Sequence, residues 1–500
     1  MAKRTTNANR YRIPLVRNLL LLIIFLFLWN ISGFSQQMTG LGFDNYNGAA
    51  GATLNPAFLS NSKVYLDAHL ITFDVFGENN MGYLNKDSTS FWDLVRMVTR
   101  PSYDGPDVDA ELYENKDKKN FLASSRIQGP SFMLQDGRQA FAVGLTIRSV
   151  SSGVNLPYEI ILSKGKLSDS TLINNHFDDK NFSAASLNWA ELNFSYAYDF
   201  IDRGNTKLSA GATFKILFGI GGAYAATTQV KYYVPDKTTL DVKNFDSEIA
   251  YALPIDYNDY ENTVLDPVFK GHGIGMDIGI LYTQLKTFTD PGEKRLCAKP
   301  YADYIYKIGI SLMDIGGIRF RHHAEVHTFD NMQTVWEHFD TVSTPNVRTT
   351  MQSISTAFYN DPNASLSDTS FYMSLPTTLS IQYDYHFNGP YYLAAYWQQP
   401  LRFRLKTVRQ SPVLAIIPRY ETRIFGASLP VTLYNYEKMR IGASLRFYSV
   451  TVGTEKLGTF LGVGDLTGMD FYFSIRFNLN KGRCMSYFKG ACSNAQFGEK

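Results

Sequence analysis

The sequence predicts an all-β fold, a transmembrane antiparallel up-and-down β-barrel of about 14 strands with an N-terminal plug segment. Three observations predict it. The chain opens with a leader of the export type. Long runs then alternate apolar and polar residues with period two. Finally, Phe 35, Tyr 32 and Trp 5 give an aromatic share of 14%, spread over the apolar positions of those runs.

The leader is read from residues 1–35. They hold no acidic residue, and the basic ones are Lys3, Arg4, Arg10, Arg12 and Arg17. Leu19 to Trp29 form an apolar run, followed by Ser32-Gly33-Phe34-Ser35 and Gln36. A positive segment, a short apolar core and a small-x-small end make a secretory signal, with cleavage expected before Gln36. The run is short for a membrane anchor, which needs ~20 apolar residues. No Cys lies near the cleavage point, so no lipid anchor is expected.

Composition narrows the class. Removing 35 of 500 residues leaves 465, and removing five of the 48 basic residues leaves 43 against 46 acidic, a formal charge of −3. That balance gives no reason to expect a nucleic-acid partner. Mean hydropathy is −0.18, as for a soluble secreted protein. Alternation hides apolar faces from such averages, however, and a membrane strand needs only ~9–11 residues. The Cys left after cleavage are Cys297, Cys484 and Cys492. They form no disulfide framework, although Cys484 and Cys492 are close enough in sequence for a small loop in an oxidising compartment.

Five strands are plain. Leu208 to Phe218 sets Leu208, Ala210, Ala212, Phe214, Ile216 and Phe218 against Ser209, Gly211, Thr213 and Lys215. Met439 to Phe447, Phe471 to Leu479, Leu379 to Phe387 and Leu192 to Tyr198 repeat the pattern. Eleven weaker candidates lie at 64–74, 126–135, 138–148, 222–234, 273–285, 304–312, 317–327, 391–404, 413–420, 424–433 and 450–457. Asp136-Gly137 and Asn388-Gly389 are hairpin signals.

Period two gives one apolar and one polar face without saying which is inside. Strand length, polar faces rich in Lys, Arg, Asp and Gln, and apolar faces ending in aromatics favour a barrel in lipid over a soluble sandwich. Phe214, Ile216, Leu445 and Ile475 are then expected to face outward, and Lys215, Arg440, Arg446 and Arg476 to line the lumen. Leu445→Arg should harm assembly and Ser444→Arg should be mild. Residues 77–125, 149–186, 235–270 and 328–373 read as long extracellular loops. One of them carries an amphipathic helical piece, Phe91 to Val98, placed at the barrel mouth or against the strand tops.

Ahead of the first strand, residues 38–60 lack alternation and contain Gly40, Gly42, Gly48, Gly51 and the turn-forming Asn55-Pro56. Their apolar residues Leu41, Phe43, Leu54, Phe58 and Leu59 need burial. Either they plug the lumen, with Asn55-Pro56-Ala57 as a rigid gating turn, or they form a strap on the periplasmic rim. The division is therefore signal 1–35, plug or strap 36–62, barrel 63–479 and periplasmic tail 480–500.

The Asn55-Pro56-Ala57 element at the mature N-terminus resembles FadL-type hydrophobic-compound transporters of outer membranes. Gly273 to Tyr282, Lys307 to Gly316 and Gly468 to Phe473 resemble a Bacteroidota outer-membrane barrel family of unknown function. The resemblance implies fourteen strands and a plug within the lumen. The tail after Asn480 departs from the FadL pattern, which ends at the last strand.

No catalytic set is legible: there is no nucleophile elbow, phosphate loop or Cys-x-x-Cys. Gly219-Ile220-Gly221-Gly222 reads as a bend between strands. His323, Glu325 and His327 share a strand face, but alternate residues lie ~6.6–6.8 Å apart, too far to converge on one ion. No metal, cofactor or enzymatic activity is expected. The expected partners are outer-membrane lipid, a hydrophobic or amphipathic small molecule, or envelope proteins. An apolar pocket near the plug would favour transport. A lumen blocked by charges, with an exposed apolar loop patch, would favour a structural or secretion-associated barrel.

Overall fold

The computed structural model describes residues 38–85, 90, 92–93, 96, 110–113, 115, 117–159, 172–264, 266–289, 303–339, 346–401, 406–463 and 465–479. The leader, the tail and all three cysteines lie outside the described residues, as does most of the 91–98 piece.

The alternating runs pair edge to edge into a closed antiparallel barrel of thirteen strands. The longest, Asn175–Val234, folds back on itself near Gly204, whose φ of 66° suits a tight turn. Its two legs face each other, as the Ser195–Thr213 hydroxyl contact (2.8 Å) and the Ser209–Asp199 bond (2.7 Å) record. Counting both legs, the ring has fourteen passes. Leu66–Asn79 closes it by pairing with Gly468–Leu479 on one side and Lys119–Asp136 on the other. Closure leaves no open edge, the condition for strands to cross hydrocarbon.

The two faces of the wall differ in kind. Leu445 is 52% exposed, while its neighbours Ser444 and Arg446 are 5% and 3% exposed. Phe214, Ile274, Ile280, Ile310, Ile441 and Phe447 are also exposed, whereas Lys215, Asp277, Asp314 and Arg476 are buried. Apolar outside and polar inside is the reverse of a soluble sandwich and is what a lipid solvent selects.

The two rims differ. One has tight turns at 137–138, 203–204, 387–390, 422–424 and 448–449 and a longer connection at 290–303, and the first strand begins there. The other carries the connections 80–118, 157–174, 235–270, 321–377, 401–412 and 455–467, with one tight turn at Asn435-Tyr436.

The expected loops are partly regular structure. Lys119–Asp136, Gln139–Leu156 and Asn175–Val234 run on past the apolar belt, and Leu240–Ala252 and Ala324–Trp336 add a sheet above it. Asn346 caps a helix, Val347–Tyr359, that covers this sheet through Met351 and Phe358. Outside lipid both faces of a strand are polar or mixed, so alternation fades although pairing continues. The 208–218 and 222–234 candidates are one strand that changes partner: residues 204–219 pair with Gly271–Thr289 and residues 222–233 with Leu240–Ala252. The bend expected at Gly219–Gly222 is this branch, and Phe320 fills the space that side chains there would occupy. The 317–327 candidate is a corner between Tyr304–Phe320 and Ala324–Trp336, turned at His323 with φ 51°. Two other candidates are broken, at Leu429-Pro430 and at Gly442.

Candidate functional site in the lumen

The lumen is filled in three layers, counted from the tight-turn rim. The first is the 38–62 segment. Its glycines and Asn55-Pro56 keep it out of the strands, and it forms three short helical turns, Thr39–Gly42, Gly48–Thr53 and Pro56–Asn61. Leu41, Leu54, Ala57 and Leu59 are buried. Phe43 and Leu54 pack on Tyr396, Ala415 and Ile417 of the wall.

Asn55-Pro56-Ala57 is the segment's tightest fit. The Asn55 side chain accepts from Ala57 N (2.9 Å), capping the helical turn, with Pro56 at a position where no N–H is needed. Asn55 Nδ2 donates to Gln382 Oε1 (3.0 Å) and to the carbonyls of Ile280 (3.3 Å) and Ile310 (3.4 Å). Three wall glycines make the recess. A Cβ at Gly211 would meet Pro56 and Ala57 backbone, and one at Gly279 or Gly309 would meet the Asn55 side chain.

Polar contacts tie the segment to the wall all round. Asp44 accepts from Arg446 Nε (2.5 Å) and lies 3.4 Å from Arg476 Nη2. Thr39 Oγ1 donates to Glu455 (2.6 Å), Asn45 Nδ2 to Glu421 (2.8 Å), Lys207 Nζ to Ser60 O (2.7 Å) and Ser311 Oγ to Leu54 O (2.7 Å). Arg419 holds Phe43 O and pairs with Asp384 at 2.8 Å.

The second layer is ionic. Asp314 sits on a bulge, with φ 56° there and 126° at Gly316, so Met313 and Asp314 both point inward. Arg148 grips Asp314 with two bonds (2.7 and 2.8 Å), Lys215 bridges Asp314 (2.6 Å) and Asp277 (2.8 Å), and Arg148 lies over Trp189. Buried charges survive only when paired in this way. Between this layer and Ala49, Ala52 and Thr53 of the segment lies a cavity of about 60 Å³, lined also by Arg126, Glu191 and Asn193.

The third layer is apolar. Trp189, Leu217, Phe320, Phe371, Met373 and Leu375 pack together under Val408. Residues 406–411 cross the mouth to reach it, tied by Thr407 to Ser374 O, by Arg409 N to Ser152 (2.9 Å) and by Lys406 to Glu248 (2.5 Å).

The sequence-derived lumen residues divide among separate clusters. Arg446 and Arg476 meet on Asp44, and Lys215 belongs to the Asp314 layer. Arg440 sits near the long-loop rim, 2.9 Å from Glu78, which Lys438 and Lys456 also approach. His323, Glu325 and His327 lie above the barrel. There Glu325 accepts from Tyr251 (2.6 Å), and His327 contacts Ser365 (2.9 Å). Sequence reasoning passed over Asp44, Arg148, Asp277 and Asp314. The available signal was an Asp inside each of two glycine-rich apolar segments, Gly275-Met276-Asp277 and Leu312-Met313-Asp314.

Ser444 bonds Ser428 (2.8 Å) and faces Gly40 of the inserted segment.

No curated protein matches the chain. Among solved structures it is similar to a Pseudomonas aeruginosa FadL homologue (12% identity, 89% of this chain and 99% of that one, TM-score 0.39). It is also similar to the Pseudomonas putida toluene transporter TodX (10%, 89% and 96%, 0.30) and to the translocator domain of the Neisseria meningitidis autotransporter NalP (8%, 83% and 88%, 0.29). Residues 56–455 match the model described as "Family of unknown function (DUF5723)", and the chain belongs to that family.

Proposed function

We propose that this is an outer-membrane barrel that passes hydrophobic or amphipathic small molecules, with residues 38–62 as its removable plug. The carrying observation is that a non-strand segment, joined to the wall by side-chain contacts rather than strand pairing, closes the lumen. Barrels of eight strands are filled by their own side chains and those of sixteen to eighteen leave a channel. Fourteen passes enclose space that an insert must fill. The hydrophobic class of solute rests on the resemblance at Asn55-Pro56-Ala57 and on the apolar layer under the long-loop rim. The long-loop rim is assigned to the cell exterior and the tight-turn rim to the periplasm, after export directed by residues 1–35.

A second reading, a structural or secretion-associated barrel that binds envelope proteins and moves no solute, draws support from the Arg148–Asp314–Lys215 layer and the roughly 60 Å³ left free beside it. Deleting residues 38–58 decides between them. Under the passage reading, reconstituted vesicles gain flux of small hydrophobic and polar probes, and the barrel stays heat-resistant on gels. Unchanged flux from an intact barrel puts the structural reading first.

A further inference from the structure

Arg446 and Arg476 form a buried anion receptor near the tight-turn rim. Both are almost fully buried. Their ion-pair partner is Asp44, the one charged residue of the plug between 38 and 62. Arg446 also donates to the carbonyls of Thr422 (2.7 Å) and Arg423 (3.2 Å) and stacks over Tyr46. Arg476 is less satisfied: its Nε and Nη1 have no hydrogen-bond partner among the described residues. The other carboxylate facing the pair is Asp67, within electrostatic reach of Arg476, with Glu421 beyond it. Asp67 Oδ2 is held by Ala49 N of the plug (2.8 Å).

With the plug seated, Asp44 pairs with both guanidiniums, Asp67 lies within reach of Arg476, and Glu421 is engaged by Arg419 (3.2 Å). Withdrawing the plug removes the carboxylate that the two buried guanidiniums share, a costly change. A guanidinium pair of this kind matches a carboxylate or phosphate oxygen pair. We propose that Asp44 occupies this receptor in place of a ligand, and that a small oxyanion or the anionic head of an amphiphile competes for it and unlatches the 38–50 part of the plug. The proposal rests on the plug reading above and adds the chemistry of the trigger.

The test is amide hydrogen exchange across residues 38–62 in the full-length barrel in lipid nanodiscs. The probes are octanoate, octanol and inorganic phosphate. Octanoate should speed exchange at 39–50 about tenfold, the factor equivalent to ~1.4 kcal/mol of latch energy, and octanol should not. A response to phosphate as well assigns the site to free oxyanions; a response to octanoate alone assigns it to amphiphile heads. Asp44→Asn should exchange fast without any probe and gain little from one. Silence towards both anions, or an Asp44→Asn plug that exchanges like wild type, overturns the proposal. Vesicle flux is read separately. An anion-responsive plug without flux leaves the receptor standing and removes passage, whereas flux with an anion-blind plug does the opposite.

Discussion

The lower and upper halves of the lumen solve one problem with different chemistry. Both must fill the inside of a barrel too wide for its own side chains. Below, a glycine-rich segment reaches in from the chain start and is held by hydrogen bonds, ion pairs and a fitted turn. Above, the wall's own residues Trp189, Phe320 and Phe371 meet in an apolar layer beneath Val408. Polar contacts of the lower kind have a ready substitute in water or a ligand, since their net worth is only ~0.5–1.5 kcal/mol each. The apolar layer has none and gains from every methylene it keeps dry. On the passage reading proposed above, the lower filling is the exchangeable one and the upper is part of the wall's stability.

The harshest way to break this contrast is Phe320→Ala. Phe320 fills the gap over Gly219, Gly222 and Gly271 where the sheet branches. Removing a buried phenyl ring costs ~3–5 kcal/mol. Urea unfolding should shift by that order, while vesicle flux stays at the wild-type level. A leaky but equally stable variant would mean that the upper layer, not the plug, is the gate.

A pair of neighbours sharpens the contrast at the wall. Leu445 faces lipid, so Leu445→Arg should cost ~2–4 kcal/mol near the midplane and lower the yield of folded barrel. Ser444 faces Gly40 of the plug. Ser444→Arg should assemble, because the strand's lipid face is untouched, but it should displace the plug's first turn and raise flux. Equal assembly defects in both would argue against the separation of wall and insert.

This pair also shows what was legible beforehand. Period two in Met439–Phe447 identified the two faces of the wall, and lipid as solvent made the apolar one outward. Asp136-Gly137 and Asn388-Gly389 marked hairpins that the pairing contains. Above the belt the same strands lose their alternation, so the branch at Gly219–Gly222 reads as a bend between two strands, and most of the sheet with its helix reads as loops. In the lumen, Lys215, Arg446 and Arg476 were legible as polar positions, but their partners were not. Asp44 is more than 400 residues from Arg446 in sequence, and Asp314 turns inward only because a bulge reverses its side. Such pairings depend on closure of the ring, which local pattern does not encode.

The gentlest probe is Gly279→Ala, aimed at the recess that receives the turn. The added methyl would meet the Asn55 amide, while the strand itself tolerates alanine. Asn55 then loses its bonds to Gln382 and to the carbonyls of Ile280 and Ile310, and the turn's own cap at Ala57 is left without a wall to sit on. Urea unfolding should move by less than ~1 kcal/mol, because the wall's pairing is intact and surface-like changes to an insert weigh little. Hydrogen exchange at 55–61 and probe flux should both rise. Gly77→Ala is the matched control: a Cβ there meets nothing within 4 Å, and exchange and flux should stay unchanged. If the two alanines behave alike, the recess does not hold the plug, and the contrast between an exchangeable lower filling and a fixed upper one loses its structural basis.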